Sequence, residues 1–566
     1  MLTKYDHARR VDGAIAHDSV RGMSITRREL FFAAAAGALE AACSGTLSSG
    51  AACTSKRPVT DCIPATHVDG QRRELWSYNE MQRATPKVYR PANAAALSER
   101  LKSLRPGQRV TFRGGGQSLD AQSLNRDTVI VLDAPAFSYI GELRHDPDGY
   151  FITTGAGARW WDIVEKIGKL GLFPPSMATA ADATVGGTLS ADCVSRMSAV
   201  WGKEGEQIRS FKLMLVDGTV KECRRNDPDP ELRELFEAVI GGFGYLGAVT
   251  EVTFDLAPIR SKPAMVGEYP KVFTRSTRHP AIVDWDAILR GLHSRVADEL
   301  RRCNTGGRPN ASSPPFWSAL SIACYLAGEG ITANLLEQRF VEPTTKGKPT
   351  PGDIYKREPK ITVTAAKWSA VAPTIVELAS DIGFPSGEFV DDLFGWAFFF
   401  GNWATRAKLE AHESGDRLNF TQHTFALPAL VDGKPDTRPA RRFLERLESR
   451  LHRADVRPPS IDCLYVPGDR FLMSASRGLE AYLINVSLAA KDRDDYRPEV
   501  HSMLRGLARD CRMLGGRVHL VKSVVADADD LRAMYGEAAA KLKALKQKYD
   551  PNDLLRNDFF DRVFDA

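Results

Sequence analysis

The nine cysteines of this chain are scattered, with no CxxC and no Cys/His pattern at metal-ligand spacing, which argues against a zinc site; no metal centre is expected. Cys53 and Cys62 could form a bridge in an oxidising compartment, a point that their spacing leaves open. Excess charge of either sign is equally scarce. A formal net charge of +5 over 566 residues, with no Lys/Arg stripe interleaved with aromatics, argues against dedicated nucleic-acid binding. The pairs Arg301-Arg302 and Arg441-Arg442 fit solvated helix faces. The apolar run Phe31–Leu39 is far too short to span a bilayer as a permanent helix. What is abundant is ordinary: 43% hydrophobic and 26% charged residues are the composition of a soluble globular protein. At this length one core does not suffice, so two or more domains are expected.

The first sixty residues have their own layout. A long charged stretch leads to Ser24–Phe31 (SITRRELF), then the apolar run, then Ala/Ser-rich sequence. This is the arrangement of a twin-arginine export signal, and it predicts a periplasmic or otherwise exported protein. Leu39–Cys43 (LEAAC) has the form of a lipoprotein cleavage site except for Glu40, which leaves lipid anchoring and membrane-surface association open. The alternative is an amphipathic N-terminal helix of the mature protein.

From about Ala84, strands and helices alternate. Apolar positions predict a helix over Ala95–Leu104 and another over Trp160–Leu170, stopped by Gly171. Short apolar runs predict strands at Arg109–Arg113 and Val129–Leu132. Asp217-Gly218 between Lys212–Val216 and Thr219–Cys223 is a hairpin signal. This α+β unit closes near Pro258. Residues 259–500 read as a second domain of helices and strands, among them Phe420–Leu427 and Tyr482–Leu488. Within it, Pro343–Lys356 reads as a surface loop. The aromatic run Leu393–Trp403 fits buried core, a lipid-like substrate tunnel or a membrane-docking face. A helix over Pro498–Leu514, a strand over Arg517–Val521 and a helix over Leu531–Tyr549 complete the chain.

The chemistry concentrates in Thr184–Ile208 (TVGGTLSADCVSRMSAVWGKEGEQI), which opens on two adjacent glycines. Glycines serve where a backbone turns left-handed or another group must come close. Successive N–H groups without side chains in the way suit phosphate oxygens, and a dinucleotide brings a pyrophosphate that needs such a cradle. Alone, the stretch would pass for a glycine-rich surface loop. Two more glycine clusters flank it in the same unit: Arg113–Ser118 (RGGGQS) and Gly241–Gly247 (GGFGYLG).

Together with Tyr549–Pro551 (YDP), these three stretches resemble the FAD-linked oxidoreductases of the vanillyl-alcohol oxidase / p-cresol methylhydroxylase superfamily. TVGGTLS and GGFGYLGAVTEVTF resemble cytokinin dehydrogenases. Gly515–Lys522 (GGRVHLVK) is similar to a segment of sugar-lactone and alditol oxidases, and the overall pattern is most similar to the decaprenylphosphoryl-ribose oxidases. The resemblance covers about Ala84–Leu256 and Leu504–Phe564. It implies a PCMH-type FAD-binding domain of two subdomains (80–258), an α+β substrate or cap domain (259–500), and a C-terminal segment (501–566) that returns to close the flavin site. It implies a flavoprotein oxidising a CH–OH group of a sugar, polyol or lactone by hydride transfer. Amine oxidation of the cytokinin dehydrogenase kind and flavin binding without turnover are the alternatives. The implied partners are a small-molecule substrate and an acceptor, either O2 or a respiratory quinone-type acceptor.

Carried over residue by residue, the resemblance implies that Arg113, Gly114, Gly115, Gly116, Gln117 and Ser118 hold the phosphates. Thr184, Gly186, Gly187, Thr188, Ser190 and Ala191 would lie along the flavin and ribityl chain. Gly202 and Gly205 would make a second close approach, and Ile208 and Val249 would face the adenine. Gln117 stands where covalently flavinylated relatives carry histidine, so non-covalent FAD is expected. Lys522 would stabilise the negative charge of reduced flavin. His519 would be the base for the hydroxyl proton, since an ordinary imidazole titrates near neutrality. Gln422, Thr424 and Asn485 would face the substrate, with Tyr535 nearby. Val194 replaces a histidine of the ribose oxidases, and Thr179 stands near where cytokinin dehydrogenases place a catalytic aspartate, with Asp182 close but offset. Twin-arginine export carries folded proteins, which suits a protein that loads its flavin before export.

Overall fold

The computed structural model describes residues 67–258 except 169, 171, 179 and 181, then 271–278, 284–302, 318–327, 330–341, 420–456 except 432, 460–489 and 497–565. The export segment, Cys53 and Cys62, Gly171, Thr179, the loop Pro343–Lys356 and the aromatic run Leu393–Trp403 lie outside the described residues. Among those described, no helix is long and apolar enough to cross a membrane.

Three sheets carry the α+β architecture. The first is parallel and three-stranded, with Thr128–Val131 between Lys87–Tyr89 and Val110–Arg113. Its strands are short apolar runs, as strands covered on both faces should be. Helix Ala94–Lys102 starts where the Asn93 side chain accepts from the Ala96 N–H, and it buries Leu97 and Leu101 against this sheet. Leu554 and Leu555 enter the same core, and the Val110 N–H donates to the Leu554 carbonyl at 2.8 Å. The C-terminal tail is thereby tied to the first sheet.

The second sheet is antiparallel, in the order Val220–Arg224, Ile208–Met214, Ala248–Pro258, Gly149–Gly155, Arg144–Asp146, with Leu172–Phe173 also paired to Ala248–Pro258. The Asp217-Gly218 turn closes its outer hairpin, with Gly218 at φ +79°. Helix Trp160–Gly168 buries Trp160, Ile163, Val164 and Ile167, the face that its apolar spacing predicts.

The third sheet is antiparallel and seven-stranded: Lys271–Arg278, Gly330–Val341, Ser318–Ala327, Ser460–Val466, Ala481–Ala489, Phe420–Pro428, Arg517–Val518. Helices Trp285–Arg302, Arg438–Ala454 and Pro498–Met513 pack on it and on one another. Two expectations are corrected here. The boundary at 500/501 cuts through this unit, because Arg517–Val518 pairs with Ala426 and Phe425 and helix Pro498–Met513 packs on Arg438–Ala454. The strand expected over Arg517–Val521 stops after two residues. The chain turns at Leu520, the Lys522 N–H reaches back to the His519 carbonyl at 3.4 Å, and Lys522 sits on a turn.

Candidate active site

One cavity gathers the glycine stretches. Arg113–Ser118 line it from the end of the parallel sheet, Thr184, Gly186, Gly187, Thr188, Ser190 and Ala191 from the short helix Val185–Ala191, and Phe243, Gly244, Gly247 and Val249 from the entry to the long strand. The backbone N–H groups of Gly114, Gly115, Gly116, Gln117 and Ser118 find no acceptor among the described residues, so five successive donors border this space. The Arg113 guanidinium, by contrast, is spent on structure, donating to Ser123 Oγ at 3.0 Å and to the Trp76 carbonyl at 2.9 Å. Gln117 folds back to donate to the Gly115 carbonyl at 3.2 Å.

The glycines divide by what forbids a side chain. A Cβ on Gly114 would meet Thr184 Oγ1 at 2.1 Å, and one on Gly115 the Asp182 carbonyl at 2.4 Å, so protein packing requires both. A Cβ on Gly187 would meet only Thr184 Oγ1, at 3.1 Å, and would otherwise project into the cavity. Three expected contacts do not line the cavity. A Cβ on Gly205 would strike Ile240 and Phe471, Gly202 ends the helix Ser198–Trp201 at φ +80°, and Ile208 is buried in the second sheet. Their places answer to packing and chain reversal.

Lys522 also lines this cavity. Its Nζ donates to Gln422 Oε1 at 3.0 Å, Gln422 Nε2 donates to Ser487 Oγ at 3.2 Å, and Thr424 Oγ1 donates to Asn485 Oδ1 at 2.8 Å. Gln422 and Thr424 at i and i+2 share one face of Phe420–Pro428, beside Ser487 and Asn485 on the paired strand. Burial lowers the Lys522 pKa, with Cys193 and Asp462 opposing.

His519 does not line the cavity. Its ring is buried, its Nε2 has no partner among the described residues, and burial together with the charges of Lys203 and Lys522 holds it neutral. Taking a proton there would place a third cation beside two lysines, so the base role expected of His519 conflicts with its surroundings. Tyr535 is likewise structural, donating to the Val518 carbonyl at 2.6 Å.

Behind the helix Val185–Ala191 lies a buried charge network with little trace in the sequence. Lys203 pairs with Asp192 and, at 3.0 Å, with Asp469 of the segment that precedes Ala481–Ala489. Burial opposes the charge on Lys203, but the two carboxylates hold its pKa above the ordinary value. Asp192 is raised to about 6, by burial first. The network ties the end of helix Val185–Ala191 to the segment between Ser460–Val466 and Ala481–Ala489.

Residues 85–224 match the FAD binding domain family, and residues 435–563 match the D-arabinono-1,4-lactone oxidase family. By these two matches the chain fits the FAD-linked vanillyl-alcohol oxidase / p-cresol methylhydroxylase superfamily. Within this superfamily it is 33% identical over 180 residues to cytokinin dehydrogenase 8 of Oryza sativa subsp. indica, covering 30% of this chain and 33% of that one. Cytokinin dehydrogenase 1 of Oryza sativa subsp. japonica is 26% identical over 227 residues, 40% and 38% of the two chains. An uncharacterised oxidoreductase of the fasciation locus of Rhodococcoides fascians is 30% identical over 172 residues, 30% and 37%. The aligned part spans about a third of the length of these relatives.

The cavity suits FAD. Five N–H donors without an acceptor among the described residues match a pyrophosphate, the open space at Gly187 admits a close approach, and the Lys522 amine lines the same cavity. Gln122, Cys193, Phe243, Gly244 and Val521 also line it and were not singled out as contacts from sequence. The GGFGYLG cluster pointed to two of them, Cys193 falls in the Thr184–Ile208 stretch and Val521 in GGRVHLVK, and nothing local marks Gln122.

Proposed function

We propose that this protein oxidises a CH–OH group of a sugar, polyol or lactone-type small molecule, passing its electrons to a separate acceptor. The observation that carries the proposal is Lys522 at the cavity wall, hydrogen-bonded at 3.0 Å to Gln422 in a polar row with Thr424, Asn485 and Ser487 that adjoins the cavity lining without being part of it. Such a row suits a substrate with several hydroxyls, each of which can both donate and accept. The match of 435–563 to the lactone oxidase family supports the same substrate class.

Bound FAD supplies two-electron hydride acceptance. The loop Arg113–Ser118 holds its phosphates through main-chain N–H groups, and Gly187 leaves room beside it. FAD is held non-covalently: Gln117 offers no nucleophile, and the Cys193 thiol at the cavity is pushed up by burial and by Glu204, which keeps it protonated. Lys522 would take the hydroxyl proton at Nζ while hydride leaves the carbon that bears that hydroxyl, so that the O–H and C–H bonds break and the C=O bond forms. Burial enlarges the neutral fraction needed for this, and the ammonium that results balances the negative charge left on the oxidant side. Gln422 keeps Nζ aimed through its carbonyl oxygen. In this arrangement the first and second sheets serve as the two subdomains of a PCMH-type cofactor domain, and the third sheet carries the substrate floor. Loading of FAD before export through the twin-arginine route to the periplasm completes the proposal.

Amine oxidation of the cytokinin dehydrogenase kind has one observation in its favour, the identity over the cofactor half. Against it, Asp182 pairs with Arg159 at 3.3 Å and does not line the cavity. The deciding experiment is an absorbance spectrum of the purified protein followed by anaerobic titration with polyols, sugar lactones and cytokinins. Bleaching by a polyol or lactone, with the flavin released by acid precipitation, is expected. Bleaching by cytokinins alone, or a colourless protein, would refute the proposal.

A further inference from the structure

We infer that Gln122 is a positioning residue that sets the placement of Lys522 from the phosphate-loop side of the cavity. Gln122 lies in the single turn Ala121–Ser123, directly after the RGGGQS loop, and it is buried. Its Nε2 faces three successive carbonyls of the turn that presents Lys522: Leu520 at 3.1 Å, Val521 at 3.4 Å and Lys522 itself at 3.2 Å. Its Oε1 accepts from the Asp120 N–H at 2.9 Å. The amide has one orientation open to it, since reversal would set its oxygen against three carbonyl oxygens and its nitrogen against a donor.

The turn has little else to hold those carbonyls. It leaves the strand after Val518, so no ladder pairs Leu520–Lys522. Its ends are pinned elsewhere: the His519 N–H donates to the Thr424 carbonyl at 2.7 Å, the Ser523 N–H to the Gln422 carbonyl at 2.9 Å, and the Val524 N–H to Asp120 Oδ2 at 3.1 Å. The middle of the turn, from which the Lys522 side chain departs, hangs on the Gln122 amide. The loop that carries those five N–H groups and the turn that presents Lys522 are thus joined through one side chain, across about 400 residues of sequence. The pairing gives one rigid frame for phosphate binding and charge placement.

The inference rests on the proposed cofactor site, and its test does not need substrate. The midpoint potential of the bound FAD is measured by photochemical reduction against a reference dye for wild type, Gln122→Met, Lys522→Ala and the double variant. Gln122→Met keeps the side-chain length and removes the donor, and Gln122→Glu is the second variant should methionine fold poorly. The expected result is that Gln122→Met retains FAD and makes hydride acceptance about tenfold less favourable, a fall of about 30 mV for a two-electron couple. The double variant should match Lys522→Ala, because one effect acts through the other. A wild-type potential in both Gln122 variants, effects that add to those of Lys522→Ala, or FAD loss in step with a lower melting temperature would overturn the inference. No shift in Lys522→Ala itself would instead bring down the role given to Lys522, and this inference with it.

Discussion

Gly187 separates what the fold requires from what the cofactor requires, because replacing it should push the two in opposite directions. A Cβ at Gly187 meets one protein atom, Thr184 Oγ1 at 3.1 Å, and otherwise enters the cavity. Gly187 lies inside helix Val185–Ala191 and outside the left-handed region. Alanine there relieves the entropy cost of glycine, by up to ~1 kcal/mol, less whatever the hydroxyl contact takes back. The apoprotein of Gly187→Ala should therefore be as stable as wild type or slightly more so. Cofactor affinity should fall, since a methyl forced into a filled site costs about 1–3 kcal/mol, or roughly 5- to 150-fold in Kd. Gly187→Val adds two methyls and should purify colourless. Gly186→Ala is the control: its Cβ would meet Ala156 Cβ at 2.7 Å, so stability and FAD affinity should fall together. Denaturant melts of the apoproteins and fluorescence titration with FAD give both quantities. A yellow Gly187→Val with wild-type affinity would refute the placement of the cofactor along this helix.

Lys522→Ala should keep FAD yet slow its anaerobic reduction by substrate about 10²–10³-fold, measured by stopped flow. Lys522→Arg should not restore the rate, because guanidinium stays charged and cannot take the proton; recovery with arginine would reduce Lys522 to a fixed cation. In wild type the same rate should climb with pH toward the lysine pKa that burial lowers. Lys203→Met strands the carboxylates of Asp192 and Asp469 in the interior and should cost about 3–5 kcal/mol in a denaturant melt. Asp192 binds its proton more tightly folded than unfolded, so its contribution is complete below its ordinary 3.8 and is lost as pH rises through about 6. Asp192→Asn should remove that fall, and an unchanged pH–stability curve would count against it. Asn485→Leu leaves the Thr424 hydroxyl without its acceptor and should raise KM about 5- to 10-fold, from roughly 1 kcal/mol of lost hydrogen bonding, while FAD content stays constant.

Local chemistry made much of this protein legible. The glycine clusters identified a dinucleotide cradle because an anion held by main-chain donors demands residues without side chains, and that demand is written in composition. Apolar spacing located the helices Ala94–Lys102 and Trp160–Gly168 to within a few residues, since one buried face repeats with the helical period. The lysine at the end of GGRVHLVK was legible as a cofactor neighbour only through the resemblance of its surroundings.

Only the tertiary structure decided which glycines face the cofactor and which face protein. Gly187 and Gly205 look alike in sequence, yet one borders the cavity and the other abuts Phe471 from a distant segment. The strand expected to reach Lys522 ends early because its partner, Phe420–Pro428, pairs with it only at Ala426 and Phe425, and the turn that follows reverses the logic of alternating faces. His519 was attractive for its ordinary pKa, and burial first, then the charges of Lys203 and Lys522 beside it, remove that property. Gln122 had no mark at all. Its three carbonyl partners come from the far end of the chain, and a hydrogen bond across that separation leaves no periodicity to read. Composition and spacing report what each segment needs from its immediate neighbours; charge, burial and cross-chain bonds are set by the segments the fold brings alongside it.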